Sequence, residues 1–481
     1  MTQSLLTALV FIVEFMVRLG LVGYLLIRQH KTPSSRAAWV VVILAVPFGG
    51  SLLYLLVGEV KLGSRRLLKY GKVNELIDAD LSKRKPPPFQ SELTIPKEFM
   101  QMAHLAELTG ENPPWCGNSL KLLSDTDIFI QSLVEDIDAS TRHCHLLSYI
   151  YLTDHSSTRL AEAMIRAVKR GVKCRVLVDS VGSSMFLKSS LRKRMSESGV
   201  QVVEALPANA LRMLLARIDL RNHRKIVIID DHIGYMGSHN IADAEFAVKP
   251  RFAPWVDIMV RVRGPVVFDL QTLFVQDWFI DTQEYLEEAM RAERIRHPDN
   301  VMAQIIGTGP TNYAEAMRQF MIASFNLGRE ELIMTTPYFV PDDATATALR
   351  TSARRGVETT LSRPARNESP LVAAASRSQY ESLLEAGVQI CEYEKGLLHA
   401  KTLTIDRRLA LISSANLDRR SFELNFEVSM VVYDSDFASQ VRFLQKSYLN
   451  DSRKIRVDHW QNQGWSSRLW QNAIGIFSPL L

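Results

Sequence analysis

The stretch "RNHRKIVIID", residues 221–230, decides the reading. His223 and Lys225 stand two apart, four apolar positions follow, and Asp230 closes the run. The pattern recurs in "LLHAKTLTID", residues 397–406, with His399, Lys401 and Asp406 at the same spacing. On an extended chain residues i and i+2 share a face, so each His-x-Lys pair points one way. Asp230 and Asp406, an odd number of positions from their histidines, face the other way. They are expected to brace the strand end rather than touch a ligand.

The surroundings repeat as well. Before the first motif come "HCHLLSYIYLTD" (143–154), a helical run ending "AVKRG" (167–171), the strand "VKCRVLVD" (172–179) and "SGVQVVEAL" (198–206). Before the second come "ELIMTTPYFVPDD" (331–343), a run ending "SARRG" (352–356), "VETTLSRP" (357–364) and "AGVQICEYE" (386–394). Gly199 and Gly387 are 188 residues apart, Gly171 and Gly356 185, but His223 and His399 only 176, so the first unit carries about a dozen extra residues before its motif. Self-similarity in fixed order marks a duplication. Strands alternating with helices predict two α/β sandwich units placing one motif each at a shared site. The expected division is 1–59, a linker 60–115, and units 116–298 and 299–481.

Two lysines and two histidines describe an anion site. Fixed ammonium groups can carry a phosphoryl group's charge in a transition state, while one imidazole attacks phosphorus and the other protonates the leaving oxygen. A metal site is not expected, because protonated lysine is a poor ligand and no further His, Cys or carboxylate set has ligand spacing. His143 and His145, two apart on a strand, read as packing or edge residues. "GSHN" (237–240) and "SSAN" (413–416) follow the two motifs at one offset. A single copy would be an ordinary polar turn. Doubled in register, Ser238, Asn240, Ser414 and Asn416 are expected to donate to phosphate oxygens. "WVDIMVRV" (255–262) and "NFEVSMVV" (425–432) are matching apolar strands with one early acid each. A buried acid is costly unless paired, so Asp257 and Glu427 are expected to orient the histidines.

The chain has 481 residues, enough for two or more domains, and 47% hydrophobic residues, typical of a globular protein. A net charge of +5 suits an anionic surface or substrate but is too mild for a nucleic-acid wrap. Cys116, Cys144, Cys174 and Cys391 form no CxxC pair and read as buried reduced thiols. Leu5–Ile27 is apolar except for Glu14 and Arg18, which are four apart and can pair on a helix. A second apolar run, Ala37–Val57, contains Pro47, Gly49 and Gly50. Each run has the roughly 20 residues of a membrane span, so a helical hairpin is expected. A cleaved signal peptide would want basic residues before the run, and "MTQSLLTALV" has none. Lys61, Arg65, Arg66, Lys69 and Lys72 after the second run, against Arg28, Lys31 and Arg36 between the runs, lean the C-terminal bulk to the cytoplasm.

With these residues in view, the doubled H-x-K-x4-D and trailing GSxN resemble the phospholipase D superfamily. The wider match is to bacterial cardiolipin synthases: the N-terminal hairpin, "VGEVKLGSRR" (57–66), "DLRNHRK" (219–225), "TTPYFVP" (335–341), "SPLVAAASR" (369–377), "LLHAKT" (397–402), "ANLDRRSFELNFE" (415–427) and the ending "FSPLL". The resemblance covers essentially the whole chain. It implies a cofactor-free transfer in an inner membrane, in which two phosphatidylglycerols give cardiolipin and glycerol. It also implies that His223 forms a phosphatidyl-enzyme and His399 serves as acid, then base. Ser413 stands where the family has glycine, and "TTLSRPARNESP" (359–370) is more polar than the family's apolar strand.

A superfamily nuclease would use the same residues, but the membrane hairpin and mild charge disfavour it. A hydrolytic phospholipase D or a phosphatidylserine synthase differs only in the acceptor. A membrane scaffold with a dead site is disfavoured by two intact motifs. The expected partners are phosphatidylglycerol, cardiolipin, a bilayer and, for assembly, a second copy of the chain. Trp460, Trp465 and Trp470 suit a membrane interface as well as packing. Leu211, Leu214, Leu215 and Ile218 recur on one helical face flanked by Arg212, Arg217 and Arg221, so residues 210–220 read as an interfacial helix or a core one.

Overall fold

The computed structural model describes residues 2–27, 33–58, 63–84, 95–207, 219–246, 248–311 and 315–476. The expected interfacial helix at 210–220 lies almost wholly outside them.

Helix α1, Thr2–Ile27, contains one stretch, Leu5–Ile27, long and apolar enough to cross a membrane. The second apolar run is not one helix, contrary to expectation. It divides into α2, Pro33–Ala45, and α3, Gly49–Leu53, which continues as a π-helical turn to Gly58. The break has a local cause. Pro47 has no N–H to continue the ladder, and Phe48 takes a left-handed φ of 56°. The Glu14–Arg18 pair forms as the spacing predicts, at 2.6 Å. It also serves the break: Glu14 Oε1 accepts from the Phe48 N–H at 2.8 Å, and Arg18 donates to the Leu44 carbonyl at 3.1 Å. Two backbone groups freed by the break thereby find partners. α2 and α3 pack on α1 through Leu25, Trp39, Ile43 and Tyr54.

Helix α4, Ser64–Ser82, lies on the buried helix Val266–Thr282 of the catalytic body. Among the described residues that body is built on one 16-stranded sheet, one strand of which, Arg221–Asn222, lies off the main path and pairs with Asn425–Val432. Read outward from its centre, the first half runs Trp115–Leu123, Met259–Arg263, Ile233–Gly237, Ile226–Ile229, His143–Ser148, Lys173–Asp179, Gln201–Ala205. The second half runs Val301–Thr308, Asn425–Val432, Leu409–Ser413, Thr402–Ile405, Glu331–Thr335, Glu358–Pro364, Gln389–Tyr393, with Ser452–Lys454 at the edge. The order is the same in both halves, and antiparallel pairing of Trp115 with Ala303 joins them. The duplication extends to helix caps. Asp154 accepts from the Ser157 N–H at 3.1 Å, and Asp342 from the Thr345 N–H at 2.8 Å.

Inner strands read as unbroken apolar runs because helices cover both faces. Ile226–Ile229 is buried throughout. The polar strand Glu358–Pro364 is nonetheless inside the sheet, paired on both sides. Its Arg363 is fully buried and donates to Ser376 Oγ and the Tyr380 hydroxyl at 2.7 and 2.8 Å. Tyr380 in turn donates to Glu392 at 3.0 Å, so a hydrogen-bonded chain of side chains replaces the apolar contact. His143 and His145 pack as expected, stacked at 4.3 Å, with His145 on Phe274. The four cysteines are buried and free.

Candidate active site

Both motifs begin just ahead of a strand rather than within it: His223–Lys225 precede Ile226–Ile229, and His399–Lys401 precede Thr402–Ile405. The two segments enter a common cleft from opposite halves. His223 donates its backbone N–H to the Phe426 carbonyl of the second half, and His399 to the Val256 carbonyl of the first, at 2.9 and 2.8 Å. His223 and His399 both line a cavity of about 460 Å³, within the range of small-ligand sites.

The expected acids are there, but crosswise. His223 Nδ1 lies 3.0 Å from Glu427 Oε2, and His399 Nδ1 lies 2.7 Å from Asp257 Oδ1. Each carboxylate therefore serves the histidine of the other unit. With Nδ1–H donated to a carboxylate, each imidazole leaves Nε2 to accept or give a proton. Burial pushes both histidines down to about 4 despite these acids. Burial alone would raise Asp257 and Glu427, but the facing imidazole and its hydrogen bond hold each below the usual carboxylate range. The resting pairs are thus neutral imidazole beside ionised carboxylate.

Lys225 and Lys401 are buried, and each Nζ donates to its own motif's histidine carbonyl at 2.7 Å. Burial pushes Lys225 down to about 7 and Lys401 to about 8, and the Lys401 charge lowers Lys225 further. Two ammonium groups against two carboxylates leave the unliganded site near neutrality when both lysines are protonated. A phosphodiester anion entering it meets two buried cations and raises the affinity of the whole cluster for protons.

The serine hydroxyls are turned toward the two carboxylates, and neither serine is among the residues that line the cavity. Ser238 Oγ donates to Asp257 Oδ1 at 2.5 Å and accepts from the Ile258 N–H at 3.0 Å. Ser414 Oγ likewise donates to Glu427 Oε2 and accepts from the Val428 N–H. The single hydroxyl proton of each is spent on fixing the carboxylate behind a histidine. Asn240 and Asn416 do line the cavity. Asn240 Oδ1 accepts from the Ile150 N–H at 3.2 Å, while the buried Asn416 Oδ1 has no hydrogen-bond partner.

Asp230 and Asp406 sit past the far ends of their strands, seven residues from the histidines. Asp230 accepts from the N–H groups of Thr141, Arg142 and His143 at 2.7–2.9 Å. Asp406 does the same for Arg329, Glu330 and Glu331. Both take left-handed φ, 52° and 50°, which aspartate tolerates. They brace the starts of the strands His143–Ser148 and Glu331–Thr335.

Sequence reasoning missed two aromatic rings. Tyr149 meets His223 edge-on at 4.7 Å, and Trp255 lies 4.7 Å from His399. Trp255 is two residues before Asp257, so period-two alternation put a signal on the page. Tyr149 has none beyond its place at a strand end. Among the described residues no group of three or more His, Cys, Asp or Glu is placed to hold a metal ion.

Comparison with known proteins bears on this arrangement. A family model described as "Cardiolipin synthase, PLD-like domain" matches residues 133–278 and 321–446, and one described as phospholipase D-nuclease N-terminal matches 19–59. A curated cardiolipin synthase A of Wigglesworthia glossinidia brevipalpis is 35% identical over 461 residues, covering 94% of this chain and 92% of its own. That of Proteus mirabilis is 35% identical over 473 residues, 94% of each chain. The crystal structure of a phosphatidylserine synthase from Haemophilus influenzae shares the fold, with a TM-score of 0.59 and 14% identity over 79% of this chain and 98% of that one.

Proposed function

The chain belongs to the phospholipase D-like cardiolipin synthase family, and from that premise we propose how its paired motifs work. It is a bacterial, membrane-associated phosphatidyltransferase that joins two phosphatidylglycerols into cardiolipin and releases glycerol. His223 Nε2 attacks the donor's phosphorus. The P–O bond to the headgroup glycerol breaks, and that oxygen takes from His399 Nε2 the proton that this imidazole gains as the phosphodiester anion binds. The headgroup hydroxyl of a second phosphatidylglycerol then returns a proton to His399 and attacks phosphorus. The P–N bond breaks, giving cardiolipin and free His223. Lys225 and Lys401 carry the charge of the phosphoryl oxygens, with Asn240 and Asn416 as further polar groups at the cavity wall. Glu427 and Asp257 hold the two imidazoles and stabilise them when protonated. Asp230 and Asp406 act only through the strands they brace.

The observation that carries this reading is the crossing of the two His–carboxylate pairs between the halves, which makes one site from two units. In this account residues 1–59 form a two-pass membrane hairpin, 60–115 a linker, and 116–298 and 299–481 two phospholipase D-like units about a pseudo-twofold axis, with the catalytic body in the cytoplasm. Identical strand order in the halves supports the axis, and the bent second apolar run against α1 supports the hairpin. The acceptor is tested by supplying phosphatidylglycerol in liposomes to the purified enzyme and identifying products by mass spectrometry. Cardiolipin with equimolar glycerol is expected. Phosphatidic acid alone would make it a hydrolase.

A further inference from the structure

Resting on that lipid-transferring site, we propose that the rim of the catalytic cavity and the C-terminal helix Trp465–Ile476 form one face that lies on an anionic phospholipid bilayer. The cavity is polar at its floor and apolar at its mouth. Val181, Met185 and Val248 line it and are exposed, Met185 to 60%. Arg420, at the surface, lines it too and sets positive charge among them, beside Lys249, which is paired with Glu368. Helix Pro370–Ser378 borders the same cavity through Val372, and its Leu371 is exposed.

The C-terminal helix packs along Pro370–Ser378, with Gly475 close to Ser378 and Arg468 donating to Glu381 at 3.2 Å. Trp460 does not share its fate: it is partly buried and packs on Tyr380 at 4.7 Å, against the core of the second unit. Trp465, Leu469 and Ile476 project outward and are 79, 62 and 69% exposed, with Trp470 exposed beside them. Their spacing of four and then seven residues keeps the first three on one helical face. A contiguous apolar face of this kind marks an interaction surface, and tryptophan is enriched where water meets lipid. The bordering basic groups match an anionic headgroup layer. A second copy of the chain could also cover apolar side chains, but seated on this rim it would close the mouth through which a lipid headgroup must arrive.

The test uses the full chain in proteoliposomes. Leu469→Glu with Trp470→Glu is expected to lower turnover of phosphatidylglycerol in vesicles at least tenfold while leaving turnover of monomeric, short-chain phosphatidylglycerol within twofold. In vesicles of brominated phosphatidylglycerol, Trp465→Phe with Trp470→Phe is expected to remove a quenched part of the tryptophan emission. Equal loss on both substrates would make the helix a packing element. Unchanged turnover with unchanged quenching, or a change from dimer to monomer in the variant, would also overturn the proposal. Failure of the wild type to make cardiolipin from either substrate would instead defeat the functional reading on which it rests.

Discussion

His223 of the first motif and Glu427 of the second half lie 3.0 Å apart, across 204 residues of chain. With the reciprocal pair, His399 and Asp257, this ties the chemistry of each half to the other. The pairing assigns different steps to the two acids. Glu427→Gln should slow formation of the covalent intermediate, and Asp257→Asn should slow leaving-group protonation and the second transfer. Losses of 10²–10⁴-fold are expected for groups of this kind. Rapid-quench kinetics with labelled phosphatidylglycerol separates the steps. Adding Glu427→Gln to His223→Ala should cost nothing further, because the two act as one group.

The lysines set the alkaline limb of activity. Lys225 and Lys401, pushed down by burial to about 7 and about 8, lose their charge as pH rises through that window. The histidines, at about 4, stay neutral throughout it. kcat/KM on short-chain phosphatidylglycerol should therefore fall about tenfold per pH unit from about pH 5 to 7, because His399 must take up a proton to act as acid, and more steeply above about 7 as the lysines lose theirs. A profile with no steepening up to about pH 9.5 would mean that both ammonium groups remain charged.

Ser414→Ala distinguishes a carboxylate brace from a phosphate ligand. As a brace, its loss should lower kcat by roughly tenfold, about 1.4 kcal/mol, with KM little changed. A raised KM with kcat intact would return the serine to the role the sequence suggested.

The halves are not equivalent everywhere. Arg224, between His223 and Lys225, is fully buried. It donates to the Glu427 carbonyl at 3.1 Å, to Asp277 at 2.8 Å and to the Thr308 carbonyl at 3.2 Å. The second motif has Ala400 at that position. Arg224→Met leaves Asp277 uncompensated and should destabilise the protein by about 3–5 kcal/mol. Adding Asp277→Asn should recover part of that, measured by denaturant unfolding of the detergent-solubilised enzyme.

The sequence made the duplication, both His-x-Lys pairs and the two acids legible, because each leaves a periodic or repeated mark. The bracing by Asp230 and Asp406 followed from an odd offset. The crossing of the carboxylates left no mark, since it arises where Asn425 and Phe426 pair with Arg221 and Asn222 across the halves. The serine hydroxyls' bonds to Asp257 and Glu427 left no mark either, because composition and spacing fix which group is near the site, not which of its lone pairs and protons are already committed. The bend at Pro47 was visible as a residue, but its stabilisation by Glu14 required two helices in contact.

The most direct test is covalent. His399→Ala enzyme is supplied with labelled phosphatidylglycerol and denatured at alkaline pH, where a phosphorus–nitrogen bond to histidine survives. The modified peptide is then mapped by mass spectrometry. A phosphatidyl group is expected on His223, accumulating because the step that discharges it lacks its base. A phosphatidyl group on another residue, or none on His223 from an enzyme that still turns over, would contradict it.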